Sequence, residues 1–84
     1  MINTQNIIGA LAMDLKRVAM AKYRGSEKVS ETFWKEVMKR KSEFLSLKLP
    51  KYLLNFYDKI ELNQDKDNLL MYSVILQNYA RSEI

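Results

Sequence analysis

The chain has 84 residues, 14 of them basic and 10 acidic for a net charge of +4, and contains neither histidine nor cysteine. That excludes an imidazole base, a Ser-His-Asp or Cys-His nucleophile, a thiol redox pair and a His/Cys zinc site. Apolar residues make up 48%, too many for a disordered chain, while two glycines and one proline are too few turn residues for an all-β domain. The expectation is one all-α domain over 1–84: a small four-helix bundle of two helical hairpins, with helices at about 4–24, 27–47, 51–62 and 65–81 and oligomerisation as one way to complete the core.

In the first helix, Ile8, Leu11, Ala12, Leu15, Val18 and Ala19 share one stripe at about 100° per residue. Gly25 stands where that helix should end, and it tolerates the left-handed backbone a helix terminus uses. The other face carries Gly9, Ala10, Met13, Arg17, Met20, Ala21 and Arg24, a mixture of small, adaptable and basic side chains suited to contact with another helix. Gly9, Met13 and Met20 are therefore interface candidates.

Ser26 is positioned to cap the second helix, whose apolar face holds Val29, Phe33, Trp34, Val37, Met38, Phe44 and Leu45. Lys41 interrupts that face, which implies either a side chain snorkelling past the core or a bend near residue 41. Pro50 opens the third helix, with Leu53, Leu54, Tyr57 and Ile60 in one stripe. The fourth starts at a cap on Asn63 or Asp65. It is apolar almost all round through Leu69, Leu70, Met71, Tyr72, Val74, Ile75 and Leu76, the pattern of a central or interfacial helix. Met71, Tyr72 and Ile75 join the interface candidates. Large apolar side chains number 35 of 84, more than a domain this small can cover alone.

Charge is divided along the chain. Residues 1–51 hold 11 basic and 5 acidic side chains, net +6, and residues 52–84 hold 3 basic and 5 acidic, net −2. The basic character lies in the first hairpin, where Lys16, Arg17, Arg24, Lys35, Lys39, Arg40 and Lys41 are candidates for contact with a polyanion. Such contact would neutralise phosphates rather than read bases. A helix-turn-helix register places Ala21 four residues before Gly25 but then needs apolar residues where Ser26 and Glu31 stand. Among aromatics able to stack on single strands, Trp34 and Phe56 fit a core better. Asp14, Glu36, Glu43, Asp58 and Glu61 fit solvent-facing or boundary positions, not a paired-carboxylate catalytic site.

No glycine-rich phosphate loop is possible with glycine only at 9 and 25. Asp65-Lys66-Asp67-Asn68 lacks the continuation of a calcium loop, since Leu69 and Leu70 follow, so it reads as a helix cap and first turn. No cofactor, metal or small-molecule substrate is expected. The uncharged opening from Met1 to Met13 is broken by Asn3, Thr4, Gln5 and Asn6, and the charge-free run Asn68 to Ala80 spans 13 residues. Roughly 18 or more are needed to cross a bilayer. A cytoplasmic location is expected.

These readings converge on a non-enzymatic helical interaction protein: an oligomeric or complex-forming accessory subunit whose basic first hairpin meets an acidic partner such as nucleic acid. In size and charge the chain is also similar to the small basic four-helix immunity proteins against bacteriocins, a likeness of architecture carried by no motif. That likeness implies the alternative, a cytoplasmic immunity-like or regulatory protein acting at a membrane surface or on a membrane-associated target.

Overall fold

The computed structural model describes residues 4–82; Met1 to Asn3, at the start of the uncharged opening, lie outside it. The fold is all-α. Its segments are α1 (Thr4–Tyr23), α2 (Glu27–Lys39), α3 (Lys41–Leu45), α4 (Lys51–Leu54), α5 (Phe56–Leu62) and α6 (Lys66–Ser82). They make four helical arms, because α2 with α3 and α4 with α5 are each one arm broken by a single residue. No strand occurs among the described residues, and no helix there is long and apolar enough to cross a membrane.

The α1 stripe is buried as the periodicity requires: Ile8, Leu11, Ala12, Leu15, Val18 and Ala19 all belong to the core. α1 packs most extensively against α6, then against α2. It therefore lies between the other long helices. Gly25 ends α1 with φ 75°. The Gly25 N–H donates to the Lys22 carbonyl at 3.1 Å and the Ser26 N–H to the Ala21 carbonyl at 2.9 Å. This paired arrangement satisfies the last carbonyls of the helix. Ser26 takes the N-cap position of α2, but its side chain makes no capping bond; only its carbonyl is used, by the Ser30 N–H.

The second arm breaks at Arg40 instead of running unbroken to Leu47. The Val37 carbonyl accepts both the Arg40 N–H at 3.2 Å and the Tyr57 hydroxyl at 2.8 Å. A hydroxyl on the helix's own carbonyl tightens the last turn and redirects the chain into α3. The turn drops Phe44 into the core against Phe56 and Tyr57, with ring centroids 5.9 and 5.3 Å away, and Tyr72 of α6 meets Phe56 edge-on at 5.3 Å. Edge-to-face contacts of this kind add to simple burial. Tyr57 is 1% exposed. Burial raises its hydroxyl well above the usual tyrosine range, with Arg40 opposing, so it stays a neutral donor at physiological pH.

α6 starts as the Asp65 alternative predicts. The Asp65 carboxylate accepts the Asp67 N–H at 3.1 Å and its carbonyl accepts the Leu69 N–H at 2.9 Å. The Asp67 carboxylate in turn accepts the Tyr23 hydroxyl, and the Lys66 ammonium lies 4.9 Å from the Tyr23 ring centroid, tying the end of α1 to the start of α6.

The two glycines should respond oppositely to alanine. A Cβ at Gly9 meets nothing within 4 Å, so Gly9→Ala should raise stability by about 0.5–1 kcal/mol through helix propensity. Gly25→Ala must hold a left-handed backbone and should cost about 1–2 kcal/mol. Thermal unfolding of both variants checks the pair. Tyr57→Phe leaves the Val37 carbonyl its Arg40 partner and should cost about 1 kcal/mol in chemical denaturation.

Candidate interaction surface

The densest cationic run, Lys39-Arg40-Lys41, is engaged within the chain. Lys39 Nζ lies 3.2 Å from Glu36 Oε1, Arg40 Nε 2.9 Å from Asp14 Oδ2, and Lys41 Nζ 3.2 Å from Glu61 Oε1. The exposed Lys39 pair is weak and easily exchanged. Lys41 is half-buried, and its ammonium also lies 6.0 Å from the Tyr57 ring centroid. The bend and the snorkelling lysine thus occur together at the same place.

Asp14 does not occupy the boundary position expected of it. It is 4% exposed and receives two arginines, Arg40 and, at 3.3 Å, Arg17 of its own helix. A buried carboxylate is tolerable only with such donors. The signal for it was present: Asp14 is the only acid in residues 1–26, and it lies on the Val18 and Ala21 side of α1 with an arginine at i+3. The Arg40 contact, 26 residues away, carried no local signal.

Three of the other four candidates gather on one face, and Lys35 is not among them. Lys16, Arg17 and Arg24 line a groove of about 370 Å³ between α1 and α2, together with Met20, Val29 and Phe33. No acidic side chain lines it. Lys16, Arg24 and Lys35 are exposed and form no ion pair among the described residues. Arg17 is held in place, because its guanidinium lies 5.4 Å from the Phe33 ring centroid while one of its donors serves Asp14. The remaining donors of the guanidinium fork are available to a partner. Met20 and Val29 are exposed between the cations. Val29 continues the apolar face of the second helix in sequence but stands exposed, as part of the groove floor.

Adjoining it along α1 and sharing Lys16 and Arg17, a second groove is lined also by Gly9 and Met13 and by Gln77 and Arg81 of α6. Met13 is exposed, whereas Gly9 is half-buried with nothing packed where a side chain would be. Met71 and Ile75 are exposed beside Val74 along the outside of α6. Tyr72 is half-buried and packs on the core, so of the α6 candidates it is the one committed to the fold. A third depression, lined by Lys22, Glu27, Glu31, Trp34 and Gln64, mixes both signs of charge and favours neither anions nor cations. Neither a family model, nor a curated protein, nor a solved structure matches the chain.

Asp14→Ala should leave Arg40 without its carboxylate and cost about 1–3 kcal/mol, since the arginine is one-third exposed and partly rehydrates. A double-mutant cycle with Arg40→Met in urea should return a coupling of similar size, and additivity would show that the pair is energetically idle.

Proposed function

We propose that this chain is a non-enzymatic, cytoplasmic accessory subunit that docks an acidic protein surface into the α1–α2 groove. One observation carries the reading: Lys16, Arg17 and Arg24 surround the apolar Met20, Val29 and Phe33 with no acid among the lining side chains. Cations alone would suit a phosphate backbone equally well. Exposed methionine and valine between them suit protein side chains better, because an apolar floor gains nothing from phosphate and is desolvated by an apolar anchor. The rest of the chain's chemistry is narrow, with no histidine or cysteine to act as nucleophile or base. The Lys39-Arg40-Lys41 run supports the fold through its ion pairs and is secondary to the groove as a contact surface.

The test compares three probes by fluorescence anisotropy or co-sedimentation: an acidic peptide with interspersed leucines, a duplex DNA, and vesicles containing anionic lipid. The peptide should bind and should retain part of its affinity at about 0.3 M salt, since apolar burial is not screened as exposed charge is. Lys16→Glu with Arg24→Glu should weaken it at least tenfold, and Lys39→Glu should leave it within about twofold, as expected of an exposed pair. Binding confined to DNA and abolished by salt would replace this reading with phosphate contact. Binding confined to anionic vesicles would replace it with a membrane-surface role.

A further inference from the structure

We propose that the acidic surface received by the α1–α2 groove is the α5–α6 corner of a second copy of this chain, with Leu62 as its apolar anchor. The proposal rests on the groove reading above and names its partner. Leu62 is 83% exposed, the most exposed of the large apolar side chains described. It ends α5 and is surrounded in sequence by acids. Residues 58–67 carry Asp58, Glu61, Asp65 and Asp67 against Lys59 and Lys66, four acidic and two basic side chains for a net charge of −2 along the sequence. Lys41 pairs with Glu61 in the fold, which leaves the corner at −1, with Asp58, one turn before Leu62, in no ion pair among the described residues. The corner is thus an apolar projection set among carboxylates, and the groove is an apolar floor set among cations. The two have opposite net charge around an apolar centre, although the corner also carries Lys59 and Lys66.

Both surfaces are held rigid by contacts already described. Leu62 stands on a helix anchored by the buried Phe56, Tyr57 and Ile60, and the Lys41–Glu61 pair braces its last turn. Asp14 and the Phe33 ring fix Arg17 in the groove wall. Little conformational freedom is therefore lost on contact. Position favours an exchange. Gly25, next to Arg24, lines the same depression as Gln64 of the corner, so the corner and the Arg24 end of the groove lie at one end of the bundle. Two copies meeting at that end can each place a corner in the other's groove. Such an exchange closes as a dimer, whereas one-way docking of two unlike patches would continue into an open chain. The patches are small, so the dimer is a weak one that forms reversibly at about micromolar concentration or above.

Sedimentation velocity over about 10–500 µM, at low and moderate salt, tests this directly. The wild-type chain should show a concentration-dependent monomer–dimer equilibrium that salt weakens. Leu62→Glu, at an exposed position that leaves the core untouched, should weaken dimerisation at least tenfold while its intact groove still binds the acidic peptide. Lys16→Glu with Arg24→Glu should lose both dimer and peptide, with circular dichroism confirming that the helices persist. A wild-type chain that stays monomeric throughout, or a dimer indifferent to Leu62→Glu, overturns the proposal. In either case, continued peptide binding by the wild type would leave the groove reading standing, and loss of peptide binding would remove that reading as well.

Discussion

A single buried carboxylate organises much of this small bundle. Removing a charge from water is expensive, and Asp14, almost fully enclosed, is tolerated because guanidinium groups reach it from two directions. Arg17 comes from the next turn of α1 and costs the fold little. Arg40 comes from the other side of the hairpin and sits at the residue where α2 gives way to α3. The pairing therefore coincides with the bend that carries Phe44 inward to Phe56 and Tyr57. Beside it, the Tyr57 hydroxyl on the Val37 carbonyl holds the bend from within. The Asp14–Arg40 pair closes the first hairpin at the bend, and the Tyr57–Val37 bond joins that bend to the second hairpin, where an unbroken helix would have carried the chain past it.

The same pairings change what the charge distribution means. Counted along the sequence, the first 51 residues carry net +6. Four of those cations, Arg17, Lys39, Arg40 and Lys41, have an acidic partner in the fold, and one of these acids, Glu61, belongs to the other half of the chain. The field available to a partner comes chiefly from cations without such neighbours, and the grooved ones lie along α1. A short basic run is conspicuous in sequence, but in space its cations are paired within the fold, and of the three Lys41 alone reaches the second hairpin, at Glu61.

What could be read in the sequence depended on the range of the interaction. Ile8 through Ala19 announced their burial because a helical stripe needs only neighbours a turn apart. Gly25 announced its turn because one backbone conformation explains it. Lys41 flagged a disturbance, since a cation on an apolar face demands an explanation, but the bend at Arg40 depends on Asp14 and Tyr57, 26 and 17 residues away, and nothing local identifies either. Val29 and Leu45 extended the apolar face of the second arm and yet stand exposed. Leu45 lies past the bend, where the stripe of α2 no longer sets which side faces inward, whereas Val29 lies before it and lines the α1–α2 groove. In α6, Leu69, Ser73, Leu76 and Ala80 face inward and leave Met71, Val74 and Ile75 outside. An all-round apolar helix does not reveal which of its sides the bundle will choose. The groove itself depends on how α1 and α2 sit together, which periodicity alone does not specify.

The arrangement in which α1 lies against α6 has a kinetic side. Its most extensive helix pairing joins the first described helix to the last, and Tyr23 reaches Asp67 across 44 residues. Closing so long a loop is entropically costly, and its reward comes only when both partners exist. The hairpin of α1 and α2 can form early from local contacts, but one side of α1 stays uncovered until α6 has been made. On the ribosome, the nascent chain would therefore present that side of α1 until α6 has emerged.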